Sequence, residues 1–428
     1  MDPRERGTPQ RRATKRAARP GKLFAVCLMA ACAGSAVAQS PDKDIPQYRN
    51  DPSWPKPFPN HWVIGQIGGL FVDSSDHIWV LQRPLPYALD EAGGKRDLAP
   101  AMRMPSVLQF DTEGNLLSSW GGQGHVPDWP KSEHALWRDA GGNIWIGGNA
   151  PGDRQVLKFS SDGKLLLEIG RPTKAPRNNA DTSMLGQPAG IAVDDAAHEV
   201  YIADGYLNNR IVVYDSDSGK FKRGWGAYGI ALDKIVNAPE PPPTPSYVPE
   251  GPAYVPGEAP EDQFRTPVHC VRISADGFVY VCDRRNDRIQ IFTKQGKFVK
   301  EYLVHRETRG YGSVWILNFS RDPQQKYLLI GDGVNQRVWV LDRQTGRELS
   351  HFADGYLHTV HQAGLDSRGN YYTGDVGFPQ PGTPVLGNGK TLQKFVLEWA
   401  SRTTSLPAWR KANGRRGSDA PHCDPAHP

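Results

Sequence analysis

Residues 200–214, VYIADGYLNNRIVVY, place an apolar run on each side of a polar turn holding Asp204, Tyr206, Asn208, Asn209 and Arg210. Alternating β-branched and aromatic residues flank that turn, so the stretch reads as a β-hairpin. It recurs as VYVCDRRNDRIQIF at 279–292 and as YLLIGDGVNQRVWVL at 327–341. In both later copies the Asp precedes the Arg by five positions, Asp283 to Arg288 and Asp332 to Arg337. The first copy has six, Asp204 to Arg210, and a tyrosine stands inside the longer turn. Extra residues in antiparallel pairs often re-aim a side chain at a site, which singles out Tyr206.

Working outward, the hairpin belongs to a longer unit repeated six times. Each unit reads strand, D-G-type turn, strand, polar link, strand, turn, strand. The copies begin near Gln66 (GGLFVDSSDHIWVLQR), His134 (HALWRDAGGNIWIGGN), Ala189, His269, Trp315 and His361 (HQAGLDSRGNYYTGDV). Four strands at a period of forty or more residues is the signature of propeller blades, and the ring must close because each blade buries its faces only on its neighbours. The expectation is an all-β fold, a six-bladed β-propeller of four-stranded blades spanning 47–399. A Pro-rich stretch, 234–263, is expected to be an insertion between blades three and four, and 402–428 a disordered tail.

Forty-five glycines, 37 prolines and 12 tryptophans suit a chain of many short strands and turns. No uninterrupted run of eighteen apolar residues points to a permanent membrane span. Residues 1–22 hold eight basic and two acidic side chains, and 23–38 are apolar, ending in Ala36-Val37-Ala38. That is the layout of a signal peptide, 1–38, and of an exported, periplasmic or secreted product; lipidation at Cys32 is the alternative. The formal charge of +5 minus the segment's +6 leaves −1, so nothing in the charge points to nucleic acid. Cys270 and Cys282 flank Asp276-Gly277 symmetrically, which fits either a disulfide or two buried thiols.

One register carries candidate chemistry. The residue eight positions before the glycine of the first turn is His134 in unit two, His269 in unit four and His361 in unit six. Gly68, Ala189 and Trp315 take the slot in units one, three and five. Imidazoles from alternate blades of a six-fold ring converge on its axis. Three such ligands with an open fourth position suit zinc, although other late transition ions accept the same donors. His125, His351 and His358 lie outside this register and read as surface residues.

The N-x-R pattern after each Asp resembles the NHL repeat, and the Asp and Arg read as an ion pair bracing each blade. The units further resemble peptidyl-α-hydroxyglycine α-amidating lyase, the lyase half of the peptide-amidating enzyme. The stretches carrying the likeness are IADGYLNNRIVVY, HALWRDAGGNIWI, VHCVRISADGFVYVCDRRNDRIQIF, HTVHQAGLDSRGNYYTGD and GGLFVDSSDHIWVLQR. The resemblance implies zinc on His134, His269 and His361, with Tyr206 and Arg83 as catalytic residues. It also implies a structural calcium on the backbone carbonyls of Leu70 and Leu136. The family's third calcium ligand is an Asp, and Gln362 stands there, a weaker ligand for a hard cation. Thr359 replaces a methionine of the family, and Leu207 replaces its half-cystine beside the tyrosine.

The implied reaction is cleavage of an N-acyl or peptidyl α-hydroxyglycine to an amide and glyoxylate, with Tyr206 as general base and Arg83 facing the phenol or a substrate carboxylate. The expected partner is therefore a small-molecule or peptide substrate with a carboxylate. A non-catalytic NHL platform binding a peptide or envelope partner is the alternative class. A lactonase-type propeller fits least, because its sites use Glu, Asn and Asp where this register shows His.

Overall fold

The computed structural model describes residues 45–84, 87–89, 95–97, 99–237, 261–308, 310–376 and 390–398. The expected signal peptide, 1–38, most of the Pro-rich stretch 234–263 and the expected tail, 402–428, lie outside the described residues. Six four-stranded antiparallel sheets form the blades of a six-bladed propeller. Blade one is Gln66–Val72, Ile78–Arg83, Val107–Phe110 and Leu116–Trp120. Blade two is Glu133–Arg138, Ile144–Gly148, Gln155–Phe159 and Leu165–Gly170. Blade three is Gly190–Asp194, Glu199–Asp204, Arg210–Asp215 and Phe221–Trp225. Blade four is Val268–Ile273, Phe278–Asp283, Arg288–Thr293 and Phe298–Leu303. Blade five is Ile316–Phe319, Tyr327–Asp332, Arg337–Asp342 and Glu348–Phe352.

Blade six closes the ring. Val360–Leu365, Tyr371–Asp375 and Leu392–Glu398 come from the end of the chain, and the outermost strand is Gln47–Asp51 from its beginning. Gln47 pairs with Glu398 and Asp51 with Lys394. The fourth strand that the repeat led one to expect within unit six is supplied instead by a polar pentapeptide more than 300 residues away, with no periodicity to mark it. The first strand of each blade lies innermost, and these six strands neighbour one another in chain order, the sixth returning to the first.

The turns explain the blade geometry. Asp73, Asp139 and Asp366 each accept hydrogen bonds from the backbone N–H four residues on, closing the first turn of blades one, two and six. Each also takes a side-chain donor from the second strand: Trp79 Nε1 at 2.9 Å, Trp145 Nε1 at 3.0 Å and the Tyr372 hydroxyl at 3.0 Å. Six residues beyond each register histidine, the backbone N–H of Ala140, Ala275 and Ser367 donates to a side chain of the next blade, Asp195, Gln325 and Asp76. A pseudo-threefold pattern therefore reaches from the axis to the surface turns.

The expected bracing ion pairs form in two copies of three. Arg210 Nε lies 2.8 Å from Asp204 and Arg288 Nε 2.7 Å from Asp283, all four side chains fully buried. In blade five the pair is absent. Asp332 instead accepts Trp339 Nε1 at 2.9 Å and Asn335 Nδ2 at 2.7 Å, while Arg337 turns outward to Asp354 at 3.3 Å. A tryptophan two positions after the arginine takes the carboxylate that the arginine holds elsewhere. Cys270 and Cys282 face each other across blade four and are disulfide-bonded, with Cα atoms 4.8 Å apart.

Candidate metal centre

The innermost strands of blades two, four and six each carry a β-bulge at the register histidine. Pairing slips between His134 and Leu136, between Val268 and Cys270, and between Val360 and Gln362. A bulge kinks its strand and redirects the local side chain, here toward the axis. Glycines let the neighbouring strands come close. A Cβ on Gly68 would stand 2.1 Å from the carbonyl oxygen of Glu133, and one on Gly190 would stand 3.0 Å from that of His269.

His134, His269 and His361 are buried, and one ring nitrogen of each lies within 4.8 Å of those of the other two. His361 Nε2 is 2.9 Å from His134 Nε2 and 3.2 Å from His269 Nε2. His361 Nδ1 donates to the Ile67 carbonyl at 2.8 Å, and His269 Nδ1 donates to the Trp315 carbonyl. Those bonds leave Nε2 of both rings as a bare lone pair. Two lone pairs facing each other at 3.2 Å repel unless a cation lies between them. Zinc–imidazole bonds of about 2.0–2.1 Å in a tetrahedron put ligand nitrogens about 3.3–3.4 Å apart, close to the separations observed. Burial, helped by the positive charges of Arg83 and Arg284, lowers all three imidazoles well below their ordinary range and keeps them in the neutral, ligating form. These residues fit a metal ion.

Tyr206 reaches the same point. Its hydroxyl lies 3.0 Å from His134 Nε2 and 3.2 Å from His269 Nε2. Asp204 pairs with Arg210 across a five-residue turn, one longer than the turns between Asp283 and Arg288 or Asp332 and Arg337. The longer turn is pinned from below: Tyr206 N donates to Gln187 O at 3.1 Å and Leu207 N to Gly186 O at 2.8 Å.

Arg83 ends the second strand of blade one. Its Nε donates to the Glu133 carbonyl at 2.8 Å and its Nη2 to Asn149 Oδ1 at 3.2 Å. Burial lowers its pKa, an effect opposed by Tyr206, Glu133 and Asp153 nearby. Asn149 was not apparent from sequence. Its backbone carbonyl accepts Gln187 Nε2 at 2.8 Å, so a hydrogen-bonded path runs from Arg83 through Asn149 and Gln187 to the backbone of Tyr206. Arg284 was also missed. It is buried, lies 4.1 Å over the Trp315 ring, and its charge acts on all three histidines. Its only signal in the sequence is an arginine directly after the blade-four Asp, where blade three has Gly205.

At the expected calcium position the one side-chain ligand, Gln362, offers a neutral amide oxygen where a hard cation favours a carboxylate. Leu70 and Leu136 lie on innermost strands, and Gln362 follows His361. Calcium takes six to eight oxygens and favours carboxylates. Among the described residues the histidine triad is the one cluster of three or more metal-ligating side chains, and it contains no carboxylate. His358, expected on the surface, is buried: its backbone N–H donates to Asp375 Oδ2 at 3.0 Å at the entry to blade six. His125 and His351 are exposed as expected.

Fold and site together define a six-bladed β-propeller with a three-histidine cluster where the innermost strands of alternate blades converge. No family model matches the chain. It is similar to peptidyl-glycine alpha-amidating monooxygenase B of Xenopus laevis, 29% identical over 254 residues, 57% of this chain and 25% of that protein. NHL repeat-containing protein 3 of Mus musculus is 28% identical over 380 residues, covering 85% of this chain and 88% of that one. A probable peptidyl-alpha-hydroxyglycine alpha-amidating lyase of Caenorhabditis elegans is 23% identical over 312 residues, 69% of this chain and 76% of that protein. The chain spans about a quarter of the length of the Xenopus amidating monooxygenases it matches.

Proposed function

We propose that the protein is a metal-dependent carbon–nitrogen lyase that splits an N-acyl or peptidyl α-hydroxyglycine into an amide and glyoxylate. The observation that carries this reading is the meeting of three imidazole Nε2 atoms and the Tyr206 hydroxyl at one point. His134, His269 and His361 would hold zinc, which when bound supplies Lewis acidity toward the carbinol oxygen.

The rest of the chemistry falls to the chain. Tyr206 acts as the general base through its phenol oxygen, taking the hydroxyl proton of the substrate. The C–O bond becomes the aldehyde of glyoxylate, the C–N bond breaks, and the departing nitrogen is protonated to the amide. Arg83 and Arg284 set positive charge around the site, drawing in a substrate carboxylate. The Asn149–Gln187 path holds Arg83 and the Tyr206 turn in a fixed relation. Placement outside the cytoplasm belongs to the same proposal, supported by the apolar leader and the Cys270–Cys282 disulfide.

The test is glyoxylate release from α-hydroxyhippurate, measured before and after chelation and after zinc is restored. Turnover that falls on chelation and returns with zinc is expected. No turnover by fully zinc-loaded protein sinks the lyase reading. A second reading, a non-catalytic peptide-binding platform, is favoured by the likeness to NHL repeat-containing protein 3 along most of both chains. It predicts stoichiometric peptide binding with no glyoxylate from any carbinolamide.

A further inference from the structure

Arg272 belongs to the innermost strand of blade four, three residues beyond His269. It is buried, and its one hydrogen bond among the described residues runs from Nη1 to the Val271 carbonyl at 2.9 Å. Its guanidinium lies 5.5 Å from the ring of Trp137 in blade two. Blades two and four are not neighbours in the ring, so a side chain of one that reaches a ring of the other crosses the channel side of blade three. Trp137 directly follows Leu136. Phe71, which directly follows Leu70, packs on Trp137 with ring centroids 4.5 Å apart. The guanidinium therefore faces the ring that follows Leu136, which is itself packed on the ring that follows Leu70.

The surroundings favour a cation. Each innermost strand is the terminal strand of its sheet, so its free edge turns unpaired carbonyls and N–H groups toward the channel. Among the described residues no carboxylate pairs with Arg272. Its partners are a carbonyl and an aromatic face, both of which attract positive charge. Burial lowers Arg272 to about 10, which leaves it charged at neutral pH.

We propose that the Arg272 guanidinium is the axial cation of this propeller, a fixed positive charge in place of a structural calcium, so that the ring needs no such ion. The proposal stands apart from the lyase reading, since it concerns the support beneath the histidines rather than the reaction. The experiment uses the full chain. Wild-type protein is equilibrated with calcium, passed through gel filtration and analysed for calcium, and its melting temperature is measured with and without added calcium.

Substoichiometric calcium and an unmoved melting temperature are expected. One retained calcium per chain, or a melting temperature raised by calcium, overturns the proposal. Arg272→Lys and Arg272→Met are then compared. If charge is what matters, the Lys variant melts several degrees above the Met variant. If the side chain only fills space, Met equals or exceeds Lys, and the proposal falls.

Discussion

Replacing Arg210 with Met tests whether the ground under Tyr206 is as rigid as its hydrogen bonds imply. The Arg210 guanidinium donates to Asp204 Oδ2 at 2.8 Å, to the carbonyls of Asn179 (2.5 Å) and Asp181 (2.6 Å) through Nη1, and to that of Met184 (2.8 Å) through Nη2. Asp204 in turn accepts Gly186 N and Asn208 Nδ2, on either side of the tyrosine turn. Arg210→Met strands a fully buried carboxylate and three carbonyls together. Removing one member of a buried pair costs roughly 3–5 kcal/mol. At about 2 °C per kcal/mol for a domain of this size, the melting temperature should fall by about 6–10 °C.

The double variant Asp204→Asn/Arg210→Met separates the two contributions. Removing the orphaned charge should return at least about 1 kcal/mol, because the desolvation cost of the carboxylate disappears while the carbonyls stay unpaired. Thermal melts of the wild type and the single and double variants measure this directly. A loss below about 1 kcal/mol in the single variant, or a double variant no more stable than it, would refute the reasoning.

Tyr206→Phe should lower kcat by about 10²–10⁴-fold, the usual contribution of a general base, while zinc content measured by elemental analysis stays at wild-type level. Asn149→Ala removes one acceptor from Arg83 and should reduce kcat/KM by about tenfold without loss of metal, the scale of one hydrogen bond to a charged donor. Unchanged kinetics would detach Asn149 from the site. Asp375 is buried and pushed up to about 7, above the ordinary value of about 4, so the folded state holds its proton more tightly. Its contribution to stability is full below about pH 4 and is lost as pH rises through 7. Asp375→Asn should therefore melt above wild type at pH 8, with the gap closing toward pH 4; parallel melting curves would refute it.

Much of this molecule was legible because a propeller writes its symmetry into one register. His134, His269 and His361 could be picked out by counting back from a turn glycine, and Tyr206 by one surplus residue. What counting missed is carried by packing. The bulges that aim the histidines leave the residue count between histidine and turn glycine unchanged, so no offset betrayed them. Arg272 and Arg284 look like surface arginines until the ring closes over them. Spacing alone made Asp332–Arg337 a copy of the other pairs, whereas Trp339 decides its partner. The Gln47–Asp51 strand has no apolar alternation because it covers an outer edge.

That closing strand has a mechanical consequence. Gln47 lies opposite Glu398 in an antiparallel pair, so a pull on the chain before 47 and after 398 loads the same end of the seam. Such a geometry opens like a zip, one rung at a time, and not by shearing all rungs together. Under tension between those two points, blade six should part first and at low force, before the other five blades feel the load.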